Sequence, residues 1–342
     1  MSGTNEARGR NPTLRDVAAL SGVSIATASK ALNNRDQVHP ETRARVLEAA
    51  RQIRFRPNPL AQGLLAGQTG TVGMITDDLI GRFSIPIVTG AEDAFGTGRM
   101  SVFLCDARGD AIRMQYHLNA LLGRHVDGLI VLAADTDPRP SLGRDLPVPV
   151  VYVYGPSEDP ADLSLVPDNV GAGVLAAQHL ISTGRRRIAH ITGERGFLAA
   201  RDRAEGIGET LLAAGLELVA GDAIYGNWSE SWGRTATLAL LDQHPGFDAI
   251  ICGNDQIARG ALDILREKQI NVPLDVAVMG FDNWETLTTE SRPQLTSVDM
   301  NLEELGRRAA QRLFAAIDGD SQSGVESLPC RLVVRASTAL EA

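Results

Sequence analysis

The sequence has 342 residues, 44% hydrophobic and 22% charged, with a formal net charge of −9. That is ordinary globular composition on a chain long for one core, so two or three domains are expected. Residues 1–10 are polar and carry no secretory signal, no run approaches the roughly 20 apolar residues of a membrane helix, and Cys105, Cys252 and Cys330 lie too far apart for metal-ligand or disulfide spacing. The expectation is a reduced, cytoplasmic protein with no metal, no cofactor and no membrane partner. The charge is unevenly spread: residues 1–70 hold ten basic and five acidic side chains, a net +5, whereas residues 71–342 hold 23 and 37, a net −14. A basic head on an acidic body suggests that the head meets a polyanion.

In the head, Thr13 is a helix N-cap, and Asp16 three residues later resembles a capping box. Leu14, Val17 and Ala18 share one helical face. Gly22 supplies the left-handed backbone of a tight turn, and Ser24 caps a second helix with Ala28, Ala31 and Leu32 on its inner side. Two short helices joined by a glycine-containing turn match helix-turn-helix spacing. Pro40 opens a third helix whose expected buried side is Val46, Leu47, Ala50 and Ile53. The second helix then turns Ile25, Ala26, Ser29 and Lys30 outward. Its leading residues suit the major groove of DNA, where Ile25 and Ala26 read shape and thymine methyls, and Ser29 and Lys30 bond base edges or phosphates.

Asn58 and Pro59 start a further helix, which runs through Leu60, Gln62, Gly63, Leu64 and Leu65 to Gly67. A run of about eight residues with a central glycine cannot hold a helix alone in water. It is expected to be helical only against a partner. From Thr71 the pattern changes to short apolar runs at 72–75, 101–105, 128–132, 148–153, 188–191, 249–252 and 276–279, alternating with helical stretches. These are βαβ units and parallel sheets. Ligands of such sheets sit beyond the strand carboxyl ends. Phe83, Asn254, Asp255, Asp282 and Trp284 follow strands there, a set suited to a polyhydroxylated ligand.

The head motifs TLRDVAALSGVS, ATASKALN and VHPETRARVLEAA closely resemble the DNA-binding domain of the lactose/galactose repressor family (LacI/GalR). The likeness extends through VDGLIVL, DNVGAGVLAAQHLISTGRRRIAHITG, ICGNDQIARGAL, DVAVMGFDN, PQLTSV and RLVVRAST. It implies an all-α helix-turn-helix head and an α/β, periplasmic-binding-protein-like core of two doubly wound parallel-sheet lobes with three crossovers. The implied domains are 1–57 (DNA-binding), 58–69 (hinge), 70–155 with about 298–327 (first lobe), and 156–297 with about 328–342 (second lobe). The implied DNA contacts are Thr13, Ile25, Ala26, Thr27, Ser29, Lys30 and Asn33, with Ala61 and the inserting Leu64 in the hinge. The implied effector contacts are Phe83, Arg203, Trp228, Asn254 and Asp282. Lys30 stands where many members carry Arg, and His39 where a Ser or Asp cap is usual.

The resemblance implies a transcriptional regulator, a repressor controlled by a sugar bound between the lobes, acting on a pseudo-palindromic duplex operator. No leucine heptads follow Arg335 in the sequence, so a homodimer is expected rather than a tetramer. Two alternatives use the same core. A solute-binding protein would lack the head. An α/β enzyme would find its strongest signal in GAGVLA, where Gly171, Gly173 and Ala176 imitate a dinucleotide fingerprint, but position 191, where an acidic residue is needed, is Ile. Small residues for close helix packing are the expected reading there.

Overall fold

Thr13 opens the first helix as its sequence requires. Its backbone N–H and its hydroxyl both donate to the Asp16 carboxylate, each at 2.7 Å. The computed structural model describes residues 12–32, 37–55, 68–79, 81–96 and 100–339. The chain divides into two compact units, Met1–Gly70 and Thr71–Ala342.

Among the described residues the first unit has three helices: α1 (Leu14–Ser21), α2 (Ile25–Leu32) and α3 (Pro40–Gln52). Gly22 ends α1 at φ +67°, the left-handed position expected of it. The Ser24 hydroxyl accepts the Thr27 N–H at 3.1 Å and so caps α2. His39 makes no side-chain cap on α3. Val17, Ala18, Ala28, Ala31, Val46, Ala49 and Ala50 form the core. Leu47 corrects the expected buried side: it is 41% exposed. Val46, Ala49, Ala50 and Ile53 complete the inner stripe at helical spacing, and Leu47 falls about 100° away from Val46.

The second unit holds two six-stranded sheets. The first comprises β1 (Thr71–Thr76), β2 (Ser101–Asp106), β3 (Gly128–Leu132), β4 (Val150–Val153), β5 (Leu163–Pro167) and β11 (Gly324–Leu328), in the order β11-β5-β4-β3-β1-β2. Every pairing in it is parallel. The second comprises β6 (Ile188–Thr192), β7 (Ile224–Tyr225), β8 (Ala249–Cys252), β9 (Ala277–Phe281), β10 (Thr296–Asp299) and β12 (Arg331–Val333). Its order is β12-β10-β9-β8-β6-β7, with only β12 antiparallel. Strands such as β3, β6 and β9 are buried along their whole length, which is why they read as unbroken apolar runs.

Eight helices of the second unit, among the described residues, connect these strands: α4 (Ser84–Phe95), α5 (Ala111–Leu122), α6 (Asn169–Ser182), α7 (Leu198–Ala213), α8 (Glu230–Gln243), α9 (Asp255–Glu267), α10 (Glu285–Thr288) and α11 (Leu302–Ile317). The chain passes between the sheets after β5, after β10 and after β11. α11 therefore returns to the first lobe, where Leu305, Ala309 and Leu313 join the core beneath β1 and β3. The expected lobe boundary at 155/156 is corrected. β5 pairs with both β4 and β11, so the first lobe continues to Pro167.

The GAGVLA segment is a packing device. Asp168 caps α6 by accepting the Gly171 N–H at 2.8 Å, so a carboxylate stands where a phosphate would. A Cβ on Gly173 would lie 2.4 Å from the Arg203 carbonyl, and one on Gly206 would lie 2.1 Å from that of Val170. The two bare backbones let α6 and α7 touch. Among the described residues no group of His, Cys, Asp or Glu is placed to hold a metal, and no helix is long and apolar enough to cross a membrane.

Candidate functional site

On the first unit, α2 presents Ile25 (46% exposed), Ala26 and Lys30 to solvent, with Ser29 half-buried beside them. Lys30 Nζ donates to Gln37 Oε1 at 3.0 Å, which holds the ammonium near the surface of the bundle. Thr27 is partly engaged inside the head, its hydroxyl 2.8 Å from that of Ser24, and Thr13 is engaged with Asp16. Asn33, Ala61 and Leu64, with most of the expected hinge, lie outside the described residues.

In the second unit, Phe83, Arg203, Trp228, Asn254 and Asp282 all line one cavity of about 210 Å³ between the two lobes. The first lobe also supplies Arg82, Asp135, Thr136 and Tyr154, and the second supplies Phe197. Most of these residues follow the carboxyl ends of β1, β3, β4, β6, β8 and β9, where parallel sheets leave a crevice.

The charged centre is a chain of three side chains. Arg82 Nη2 donates to Asp282 Oδ2 at 2.6 Å, and Arg203 Nη2 lies 3.6 Å from Asp282 Oδ1. Arg203 is buried and spent largely inside the protein. Its Nε donates to Asn169 at 2.9 Å, its Nη1 donates to the Gly253 carbonyl at 2.6 Å, and its guanidinium covers the Phe281 ring at 4.7 Å. Asp282 adopts φ +90°, a left-handed conformation that aims its carboxylate back into the cavity. Beneath it, Asp255 accepts the Trp284 N–H at 2.7 Å and the Ser297 hydroxyl at 2.6 Å, bracing the turn from below. Burial, then the nearby Asp282 charge, raises the Asp255 pKa above the usual carboxylate range.

Aromatic rings make the walls. Phe83 stacks on Tyr154 with centroids 5.0 Å apart, and Phe197 meets Trp228 edge-on at 6.1 Å. Tyr154 is buried, which pushes its hydroxyl pKa upward, so it stays a donor. Asp135 is half-buried, and burial raises its pKa as well. Asn254 caps α9 by accepting the Ile257 N–H at 2.8 Å, and its amide nitrogen reaches the Trp228 carbonyl at 3.4 Å. The cavity thus combines fixed donors and acceptors with flat apolar faces, an arrangement that grips a ring bearing hydroxyls.

Residues 13–58 match the family model "Bacterial regulatory proteins, lacI family", and residues 177–338 match a "Periplasmic binding protein-like domain". The HTH-type transcriptional regulator CelR of Thermobifida fusca is 36% identical, the alignment covering 96% of this chain and 99% of that protein. The chain belongs to the lacI family of bacterial regulatory proteins. A lac repressor dimer solved on its operator with an anti-inducer matches with a TM-score of 0.78 at 26% identity, covering 96% of this chain and 99% of that one. A structure of the CelR–cellobiose complex matches with a TM-score of 0.63 at 34% identity, covering 95% and 99%. This lacI-family protein is therefore a DNA-binding transcriptional regulator, and its relatives are regulators rather than enzymes.

Sequence reasoning missed Arg82, Asp135, Tyr154 and Phe197. Only Arg82 carried a signal, as a cation beside Phe83 just past a strand end. The regulator's three cysteines are free, with Cys252 and Cys330 buried and Cys105 half-buried.

Proposed function

We propose that this regulator binds a pseudo-palindromic duplex operator as a homodimer and is released from it by a sugar held between the lobes. The observation that carries the reading is the meeting of Phe83, Arg203, Trp228, Asn254 and Asp282 in one interlobe cavity, from sequence positions far apart. A sugar is favoured because buried charged groups face aromatic walls there, and because CelR is described in complex with cellobiose. On α2, Ile25 and Ala26 enter the major groove first, with Ser29 and Lys30 behind them, and Thr13, Thr27 and Asn33 support this contact. Ala61 and Leu64 belong to the hinge that joins the groove reader to the body. A homodimer is supported by exposed apolar side chains on the first lobe: Phe103 (45% exposed) and Leu104 on the edge strand β2, and Ile112 and Tyr116 on α5. Closing the lobes on a sugar changes their angle, and with it the spacing of the two chains that lead to the heads. Operator and sugar affinities then oppose each other by linkage. A protein that works on the chromosome of a bacterium works in the cytoplasm.

The test is to select a preferred duplex from a random library with the full chain, then titrate sugars into the complex while following fluorescence anisotropy. A palindromic consensus released by a sugar supports the reading. Failure to enrich any sequence, or a complex indifferent to every sugar, overturns it.

A further inference from the structure

A second cavity of about 360 Å³ adjoins the first, and Arg82, Phe83 and Asp282 line both. The inner cavity alone falls below the roughly 300–1,000 Å³ of ordinary ligand pockets, and the two joined fall inside that range. The outer cavity adds Pro86, Trp284, Glu285, Asp299, Leu302, Glu303 and Arg331 to the shared wall.

The outer chamber has its own carbohydrate chemistry. Trp284 is 38% exposed there, a large apolar face that solvent covers at a cost. Asp299 is neutralised by Arg331 at 2.9 Å. Glu285 and Glu303 are exposed and make no ion pair with any described residue, so their carboxylates are open to accept hydrogen bonds from hydroxyls. Two shared wall residues are fixed, Phe83 by its stack on Tyr154 and Asp282 between two arginines. The third is not. The Arg82 guanidinium lies 4.7 Å over the Phe83 ring and 5.0 Å over the Trp284 ring, between the chambers, on a long unbranched stem. Its hold on Gln256 is weak at 3.4 Å. Swinging this stem outward would break the 2.6 Å bond to Asp282 and open the partition.

We propose that the outer chamber is a second sugar subsite, with Trp284 as its stacking platform, so that the effector is a disaccharide or longer oligosaccharide. One ring fills the inner cavity against Asp282 and Trp228, the next lies on Trp284, and the linkage between them passes where Arg82 now stands. The inference rests on the sugar reading above and narrows it.

Isothermal titration of the full chain with matched sugars tests it: glucose against cellobiose and maltose, galactose against lactose, xylose against xylobiose. The expected result is one disaccharide that binds at least about tenfold more tightly than its monosaccharide, the scale of one aromatic stacking contact. Trp284→Ala removes that advantage by weakening the disaccharide far more than the monosaccharide, and Trp284→Phe restores most of it. A disaccharide no tighter than its monosaccharide, or a Trp284→Ala loss shared equally by both, overturns the second subsite and leaves the sugar reading standing. If none of these sugars binds, the sugar reading falls and the subsite with it.

Discussion

Asp137, on the first lobe, accepts the backbone N–H of Leu198, the first residue of α7 on the second, at 2.6 Å. Phe197 at the N-cap of α7 offers no side-chain acceptor. The cap is therefore supplied from across the cleft, with a negative charge at the positive end of the helix. Together with the Arg82–Asp282 pair it ties the two lobes on either side of the inner cavity. Asp137→Ala is expected to cost about 1 kcal/mol of closure, the usual worth of an N-cap, and so to weaken effector binding roughly fivefold. Calorimetric titration measures the loss. An affinity equal to that of the wild type would show that the cap does not report on closure.

The three groups Arg82, Asp282 and Arg203 differ in how much each removal leaves uncompensated. Arg203 and Asp282 have side chains 3% and 4% exposed, and Arg82 has 18%. Losing Asp282 leaves Arg203 buried without a counter-charge, whereas losing Arg82 leaves Asp282 still beside Arg203. Asp282→Asn is expected to destabilise the body by about 3–5 kcal/mol, and Arg82→Ala by about 1–2 kcal/mol. Urea unfolding followed by tryptophan fluorescence checks the order, because Trp228, Trp232 and Trp284 are the only tryptophans and all lie in the body. The reverse order would mean that Arg203 is neutralised elsewhere.

The legible parts of this molecule are the local ones. Thr13, Gly22 and Ser24 act within three or four residues of themselves, so their caps and turn could be read directly from the sequence. The buried strands could be read because parallel sheets need unbroken apolar runs. β5 (Leu163–Pro167) was not, because its five residues include Ser164 and a proline, and only pairing with β4 and β11 makes it a strand. Leu47 looked buried because its residue type outweighed its angle on the helix. The site was legible in its five family positions but not in Arg82, whose partner Asp282 lies 200 residues away. No spacing rule reaches that far; the crossover topology brings them together.

His190 sits wholly buried on β6, its Nδ1 2.9 Å from the Ile251 carbonyl. Burial holds its pKa at about 4, below the usual value near 6.5. The unfolded chain therefore takes up a proton that the folded chain refuses, and stability falls as pH drops from about 6.5 toward 4. Asp255 works in the opposite sense: its raised pKa favours the folded state at low pH and costs stability as pH rises. The two are separated by His190→Gln, which keeps a donor for Ile251 and cannot titrate. The melting temperature of this variant relative to wild type is expected to rise progressively between pH 6.5 and 4.5. A difference constant across that range would mean that His190 is already protonated in the fold.

Lys30 and Ile25 are both exposed on α2, and they should fail differently. An ammonium that neutralises a phosphate adds about 0.9 to the slope of log affinity against log salt. Lys30→Ala is therefore expected to weaken binding to all duplexes and to flatten that slope by about one unit. Ile25 carries no charge, so Ile25→Ala should leave the slope unchanged and reduce the preference for the selected operator over random duplex, because it removes an apolar contact to the groove. Anisotropy titrations at several salt concentrations separate the two. If Lys30→Ala altered sequence preference at constant slope, Lys30 would be reading a base edge through the short reach left by its bond to Gln37, and the phosphate contact would have to come from an arginine of the basic head.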